Sequence, residues 1–209
     1  MYDTLMRLPL LAWILFAVTL QLAVLIQSFS TGSVYAIHIA MQLSTIVFMM
    51  LIAAAVIMRT RPFGKASGLE PRISALAGTF LIYGITAFPR RDLPLSLEAV
   101  STSLTMIGNA GAIVALCQLG RSFSIMAESR QLVTTGSYRL VRHPLYLAEE
   151  FATIGVFIQY ASLWSALLLV VQFGVQLRRM HNEELVLAGS FPQYDAYRRT
   201  TARLIPRVY

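Results

Sequence analysis

Residues 132–150 read LVTTGSYRLVRHPLYLAEE and form the most polar run in an otherwise apolar chain. The run contains a glycine, two tyrosines, two arginines and His143, which is followed by Pro144. Proline suits the first turn of a helix, because its φ is fixed there and its missing N–H would have no partner. The pattern therefore predicts a helix that begins at Pro144 and whose first N–H groups favour an anion. A second interpretation is that Arg139, Arg142 and the tyrosines are ordinary anchors at a membrane surface.

The composition indicates the class of protein. Of the 209 residues, 56% are hydrophobic and 13% are charged, and the mean hydropathy is +0.64. Soluble domains contain roughly 25% charged residues, so the sequence predicts an integral membrane protein. Basic residues exceed acidic ones, 17 against 10. We expect no nucleic-acid binding, because these charges lie at the ends of apolar runs and not on one face of a soluble scaffold.

Six apolar segments predict transmembrane helices, since about 20 helical residues cross a hydrocarbon core of about 30 Å. They are residues 8–26, 34–58, 73–88, 99–119, 145–160 and 163–176. A turn around Gly32 is predicted between the first two. In the fourth segment, Gly108 and Gly111 predict a close helix contact. Residues 161–162 separate the last two, which therefore predict a tight hairpin. The expected fold is an all-α integral membrane protein with about six transmembrane helices. It forms one domain, residues 1–209, with four helices in residues 1–119 and a catalytic half in residues 120–209.

The positive-inside rule predicts the orientation of these segments. Residues 59–72 hold four basic residues and one acidic residue. If this loop is cytoplasmic, six crossings place both termini in the cytoplasm and leave Arg90 and Arg91 as the basic residues outside. The polar run 132–150 then also lies on the cytoplasmic side.

A second polar cluster, RRMHNEEL at residues 178–185, follows the predicted hairpin. On a helix, Arg179 and Glu183 are one turn apart on the same face. Such a pair is commonly a surface ion pair that contributes a few tenths of a kcal/mol. The alternative is that it belongs to a site with His143. We expect the tail beyond it to fold back over the ends of the last two helices as a lid.

Several motifs occur in a fixed order on both sides of the predicted hairpin. They are Leu-Val-x-x-Gly-x-Tyr at 132–138, Arg-His-Pro-x-Tyr at 142–146, Arg-x-x-x-Glu-Glu at 179–184, Phe-x-x-Tyr-x-x-Tyr at 191–197 and Leu-Ile-Pro at 204–206. Over residues 120–206 this order resembles the isoprenylcysteine carboxyl methyltransferase family and its relatives, the small phospholipid and thiol methyltransferases of membranes. The resemblance implies a cytoplasmic S-adenosylmethionine site built from the loop, the hairpin and the tail.

The resemblance also assigns roles to residues. The implied cofactor contacts are Glu128, Arg130, Gln131, Leu132, Val133, Tyr138, His143, Pro144, Leu145, Tyr146, Glu183 and Glu184. Arg179 and Glu183 are the implied catalytic residues, with Arg179 holding the carboxylate of the acceptor. The expected partners are membrane lipid and a lipophilic acceptor, with no metal and no obligate protein partner.

The acceptor is less closely defined than the cofactor. The resemblance favours a carboxylate, of an isoprenylcysteine or of another isoprenoid or lipid acid, which needs a cation such as Arg179 for positioning. Two departures from the family pattern bear on this: Ala148 replaces a usual glycine, and Glu149 and Glu150 add two acids. A phospholipid amine must lose a proton and would use one of these acids as a base, and a thiol is a further alternative. Outside this chemistry, the alternatives are an NADPH-dependent sterol-type reductase and a non-catalytic membrane protein.

Overall fold

The computed structural model describes residues 2–30 and 36–206 and is mostly helical. The α-helices are α1 (Tyr2–Ser30), α2 (Ala36–Met58), α3 (Glu70–Phe80), α4 (Leu95–Leu119), α5 (Pro144–Gln159), α6 (Leu163–Ser190) and α7 (Tyr194–Thr200). Short 3₁₀ helices cover Leu81–Ala87, Gly120–Ser122 and Gly136–Arg139. Two strands of two residues each, β1 (Gly64–Lys65) and β2 (Glu128–Ser129), pair antiparallel. The predicted turn around Gly32 lies outside the described residues.

Three stretches are long and apolar enough to cross a membrane: Arg7–Phe29, Ala36–Met58 and Leu95–Ser122. The six predicted crossings are therefore not confirmed. The third segment is covered by α3, which has 11 residues and begins at Glu70, and by the 3₁₀ helix Leu81–Ala87 that follows it. Helix α5 has 16 residues, and the second half of α6 carries the charged cluster 178–184. The protein is thus membrane-associated through several apolar helices, and the six-span topology stays a prediction.

Helices α4 and α5 share the most extensive helix–helix contact within residues 2–30 and 36–206, along a seam of small residues. A Cβ on Gly108 would lie 2.4 Å from the backbone N of Ala152, and a Cβ on Gly155 would lie 2.4 Å from Thr105 Oγ1. The seam confirms the close helix contact predicted from Gly108. Apolar helices in a membrane gain little from the hydrophobic effect when they associate, so their contact depends on dispersion forces. Small residues permit the close approach that these forces require.

Helices α5 and α6 are joined by a short turn, but each packs mainly against a different helix. Helix α5 packs along α4 and α6 packs against α3, so the predicted tight hairpin is not confirmed. A capping box starts α6: Ser162 Oγ accepts from the Ser165 N–H at 3.1 Å, and Ser165 Oγ accepts from the Ser162 N–H at 2.8 Å. The two reciprocal bonds satisfy N–H groups that the first turn would otherwise leave unpaired.

The basic loop after α2 runs across the end of the bundle. Its residues Phe63 and Ala66 donate backbone hydrogen bonds to the carbonyls of Ser129 and Ala127, extending the β1–β2 pair. The sequence predicted a non-helical loop up to residue 72, whereas α3 begins at Glu70 and includes Pro71 in its first turn. A proline in the interior of a helix breaks it, but a proline in the first turn is tolerated. Pro71 lies in that first turn, and for this reason the predicted start of the third helix was too late.

Candidate functional site

A surface cleft opens at the end of the bundle where the loop after α4, the start of α5, the end of α6 and the tail meet. It encloses about 780 Å³ of empty space, solvent at its mouth included. We call it the tail cleft. It is lined by Leu119, Ser122, Phe123, Ser124, Met126, Glu128, Arg130, Gln131, Leu132, Val133, Tyr138, Arg142, His143, Leu145, Tyr146, Glu183, Leu187, Tyr194 and Tyr197.

The segment that follows α4 forms one wall of the tail cleft. After the 3₁₀ helix Gly120–Ser122 it is not helical, and its side chains alternate between two faces. Ile125 and Ala127 are buried in the protein, whereas Ser124, Met126 and Glu128 border the cleft. A period of two residues is the signature of extended chain, so this wall presents every second side chain to the cleft.

The start of α5 forms the floor of the tail cleft. Pro144 is the first residue of α5, which confirms the predicted helix start. The preceding turn is fixed by Gly136, whose φ of 63° suits glycine. There Gln118 Oε1 accepts a hydrogen bond from the Ser137 N–H at 2.9 Å. Burial raises the pKa of the Tyr138 phenol above its ordinary value, so this side chain is a neutral hydroxyl at the cleft.

The tail folds back over the ends of α5 and α6, as the sequence predicted. The backbone N–H groups of Arg142 and His143 donate to the carbonyls of Ala202 and Arg203 at 2.8 and 3.1 Å. The Tyr197 hydroxyl donates to the Tyr138 carbonyl at 2.5 Å. These bonds fix the tail against the loop that carries the Arg-His-Pro motif and close one side of the tail cleft.

Glu184 connects α6 to the same tail through buried ion pairs. Its carboxylate lies 3.0 Å from His143 Nε2, 3.1 Å from Arg142 Nη1 and 2.6 Å from Arg203 Nη2. Burial alone would raise the pKa of Glu184, but hydrogen bonds from His143 and Arg203 outweigh burial and lower this pKa to about 2. Glu184 is therefore an anionic link between α6, the tail and the loop that carries the Arg-His-Pro motif, which we call the motif loop.

Arg179, Tyr146 and Glu183 form a second buried contact between α5 and α6. The Arg179 guanidinium carbon lies 4.8 Å from the centre of the Tyr146 ring, and Arg179 Nε lies 3.5 Å from Glu183 Oε1. Arg179 Nη2 donates to the Ile125 carbonyl at 3.0 Å, and the Tyr146 hydroxyl donates to Glu183. We call Arg179, Tyr146 and Glu183 the dividing layer, because they separate the tail cleft from a second cavity.

The second cavity lies inside the helix bundle and encloses about 1860 Å³ of empty space on the same measure. We call it the bundle cavity. Most of its lining residues are apolar and come from α1 to α6 and the 3₁₀ helix at 81–87. Its polar lining residues include Gln21, Gln42, Thr45, Thr79, Thr86, Arg90, Thr105, Asn109, Glu149, Thr153, Gln159, Gln172 and Arg179. Phe123 borders both spaces.

The structure brings most of the sequence-predicted site residues to the tail cleft. Those that line it are Glu128, Arg130, Gln131, Leu132, Val133, Tyr138, His143, Leu145, Tyr146 and Glu183. Arg179 lines the bundle cavity instead. Pro144 and Glu184 are not among the lining residues of either space, because Pro144 starts α5 and Glu184 faces the tail. Neighbouring positions on a helix point about 100° apart, so Glu183 faces the tail cleft while Glu184 faces the tail.

Sequence reasoning missed several residues that line the tail cleft. They are Leu119, Ser122, Phe123, Ser124, Met126, Arg142, Leu187, Tyr194 and Tyr197. The alternation of polar and apolar residues at 122–125 was a readable signal for the start of one wall. Tyr194 and Tyr197 were noted for their spacing, but their place at the cleft depends on how the tail folds back.

Comparison with known proteins shows which families and proteins the region from α4 to α7 resembles. A model of the phospholipid methyltransferase family matches residues 97–194, which cover α4 to the start of α7. The nickel-cobalt-cadmium resistance protein NccN of Alcaligenes xylosoxydans xylosoxydans is 30% identical over 114 residues, which cover 52% of this chain and 53% of that protein. The cobalt-zinc-cadmium resistance protein CzcN of Cupriavidus metallidurans is 31% identical over 114 residues, 52% of each chain.

The chain spans about half the length of the curated relatives it matches. Metal resistance is stated of those two proteins. In residues 2–30 and 36–206 of this chain, no group of three or more His, Cys, Asp or Glu side chains is placed to hold a metal ion. The family match contains the Arg-His-Pro and Glu-Glu motifs and most of the tail cleft. Residues 97–194 are therefore similar to the phospholipid methyltransferase family, the family of membrane methyltransferases that includes the isoprenylcysteine carboxyl methyltransferases.

Proposed function

We propose that this protein is an S-adenosylmethionine-dependent methyltransferase that acts on a lipophilic acceptor at the membrane. The observation that carries the proposal is the arrangement of its two spaces. The tail cleft opens at the surface and the bundle cavity lies among apolar helices, and the dividing layer is their common boundary. A water-soluble methyl donor and an apolar acceptor would each have a separate entrance and would meet at Arg179, Tyr146 and Glu183.

The side chains of the tail cleft fit the methyl donor. Arg130 is buried, and its Nη2 lies 2.5 Å from Glu128 Oε2. Its Nε and Nη1, and the Tyr138 hydroxyl, have no hydrogen-bond partner among the described residues. Buried polar groups rarely stay unpaired, so these three atoms suit polar groups of a ligand. Glu183 offers a carboxylate to an ammonium group or a ribose hydroxyl, and Phe123 offers an aromatic face to adenine.

The cofactor supplies an activated methyl group on a cationic sulfur, so the protein mainly has to align the acceptor and exclude water. The dividing layer suits this task, because α5 and α6 hold all three of its side chains in fixed mutual contact. An aromatic face such as that of Tyr146 also stabilises a cation that approaches it. The reaction therefore needs few proton-transferring groups on the cofactor side.

The family resemblance favours a carboxylate acceptor held by Arg179. Its support is that Arg179 borders the bundle cavity, on the side from which a lipid acceptor would approach. A carboxylate there would have to compete with Glu183 and with the Ile125 carbonyl, to which Arg179 is already bound. A carboxylate and an acceptor that loses a proton are therefore the two classes to be distinguished.

The test is methyl transfer from S-adenosylmethionine labelled in its methyl group, with purified protein and lipid extracts of its own membranes. We expect a labelled product that partitions into chloroform, and a loss of at least tenfold in its rate of formation with Glu183→Gln. Asp92→Asn, an equivalent change in an exposed loop, serves as the matched control and should behave as the wild type. Absence of any labelled lipid product, with every extract fraction supplied, would contradict the proposal.

A further inference from the structure

The two adjacent acids at the middle of α5 differ in their surroundings. Glu149 borders the bundle cavity and keeps part of its surface accessible there. Glu150 is buried, with 8% of its surface exposed, and is not a lining residue of that cavity. The two side chains point about 100° apart on the helix. A lipid in the bundle cavity would therefore meet Glu149 and not Glu150.

Glu149 is held at a fixed place in the cavity wall. Gln176 Nε2 donates to Glu149 Oε2 at 3.0 Å, from the facing helix α6. Gln176 is itself fully buried, so this bond is shielded from solvent. Gln176 contacts one carboxylate oxygen, and Oε1 has no bond of its own to any residue in the described ranges. One oxygen thus anchors the carboxylate, and the other is available to a ligand.

The charges around Glu149 favour an acceptor that donates a proton. Glu149 interacts electrostatically with Arg179 and with Glu183, so two carboxylates share one guanidinium. Arg179 is further occupied by the Ile125 carbonyl and the Tyr146 ring. A third carboxylate would add repulsion from Glu149 and Glu183, with no unshared cation in this cluster to offset it.

A second observation points to the same class of ligand. Gln172 is 2% exposed and borders the bundle cavity, and its Oε1 has no hydrogen-bond partner within residues 2–30 and 36–206. A buried amide oxygen without a donor costs roughly 1–3 kcal/mol, which a ligand N–H or O–H would recover. Gln172 Oε1 and Glu149 Oε1 are both acceptors at the cavity wall, so both suit a ligand that donates a hydrogen bond.

Building on the proposed function, we propose that Glu149 receives the proton of the methyl acceptor, and that the bundle cavity accordingly takes lipids whose reactive atom carries a proton, an amine or a hydroxyl, and disfavours carboxylates. The acceptor atom forms its new bond to the methyl carbon with its own electron pair. The electrons of the broken carbon–sulfur bond stay on sulfur and cancel its positive charge. The acceptor's proton passes to the Glu149 carboxylate and from there to water.

The proposal is tested by lipid binding alone, without methyl donor. Oleylamine, oleyl alcohol and oleic acid share one chain and differ in the head group, and native mass spectrometry of the detergent-purified protein measures their dissociation constants. We expect wild-type protein to bind the amine or the alcohol at least tenfold more tightly than the acid. Tighter binding of the amine assigns an amino head group, and tighter binding of the alcohol assigns a hydroxyl. Tightest binding of oleic acid would overturn the proposal.

The two acids of α5 supply a matched pair of variants. Glu149→Gln should remove the preference over oleic acid, whereas Glu150→Gln should leave each dissociation constant within twofold of the wild type. Glu149→Asp keeps the charge and should retain part of the preference, so it replaces Glu149→Gln if that variant is unstable. An unchanged preference in the Glu149 variants would overturn the role of this residue. Titration of S-adenosylmethionine into the same samples tests the proposed function separately, because Glu149 does not line the tail cleft.

Discussion

The guanidinium of Arg179 lies on the face of the Tyr146 ring, with its carbon 4.8 Å from the ring centre. This contact joins α6 to α5 at a level where the tail cleft and the bundle cavity adjoin. Because the Tyr146 hydroxyl also binds Glu183, the three side chains hold one another in place. Under the proposed function, this layer is where the methyl group would pass from one space to the other.

The first prediction concerns Arg179, which is 4% exposed. A lysine can keep the charge, but it cannot lie flat on Tyr146 while it binds both Glu183 and the Ile125 carbonyl. We expect Arg179→Lys to lower kcat at least tenfold, while affinity for S-adenosylmethionine changes less than threefold. Arg179→Met should also destabilise the fold by about 2–3 kcal/mol, because Glu183 loses its partner in a largely buried setting.

Arg178 provides the control for these variants. It is the adjacent arginine, its side chain is 55% exposed and it pairs with Glu70 at 2.8 Å. Arg178→Lys should preserve activity and stability, since a point charge suffices at an exposed ion pair. Wild-type acceptor kinetics in Arg179→Lys would show that the planar guanidinium is not required in the dividing layer.

The second prediction concerns the pH dependence of stability that arises from Glu184. Its pKa falls from 4.5 to about 2 in the folded protein, so its stabilising contribution is complete above pH 4.5 and is lost as the pH falls towards 2. The shift corresponds to about 3 kcal/mol. We expect the Tm in detergent to fall steeply over this interval, and less steeply in Glu184→Gln, which should be less stable at pH 7. Parallel Tm curves for the two proteins would refute the assigned pKa.

The third prediction concerns the seam between α4 and α5. Gly155→Ala places a Cβ 2.4 Å from Thr105 Oγ1 and 2.7 Å from the Ser101 carbonyl, so we expect a loss of about 1–3 kcal/mol. Gly174→Ala, in α6, meets nothing within 4 Å and should be neutral or stabilising by up to about 1 kcal/mol. Thermal unfolding of both variants gives the comparison. Equal Tm values would show that the seam is looser than described.

The fourth prediction concerns orientation. In a Cys117→Ser background, a cysteine at Ser96, near the exposed start of α4, should react with a membrane-impermeant thiol reagent from outside intact cells. A cysteine at Ser67, in the basic loop, should react after the membrane is opened, and a reporter fused after Tyr209 should be cytoplasmic. Cys117 is removed because it is itself exposed. The opposite labelling pattern would reverse the orientation.

The sequence predicted those features of the fold that depend on local patterns. Pro144 correctly predicted the start of α5, and Gly108 predicted a close helix contact. The long apolar runs predicted α1, α2 and α4. The third and fifth segments were harder, because hydrophobicity does not reveal that residues 81–87 narrow into a 3₁₀ helix or that α5 packs on α4 more than on α6. Which helices pair depends on contacts between distant residues.

In the candidate site, too, local motifs were predictable from the sequence, whereas features that depend on helix packing were not. Motif residues such as Tyr138, His143 and Glu183 all line the tail cleft, as their shared motifs predicted. The assignment of Arg179 to one space and Glu183 to the other required knowledge of how α6 faces α5. The same holds for Glu149 and Glu150, which the sequence offered as equivalent bases and which the structure separates.

Calorimetric titration of S-adenosylmethionine into the purified protein tests the central claim most directly. We expect one saturable site per chain, weakened at least tenfold, or about 1.4 kcal/mol, by Glu183→Gln. Tyr138→Phe should weaken binding without lowering the Tm of the free protein, since the hydroxyl that it removes has no partner among the described residues. Asp92→Asn should match the wild type. Absence of saturable binding, or the same affinity in wild type, Glu183→Gln and Tyr138→Phe, would contradict the assignment of the tail cleft as the methyl donor site.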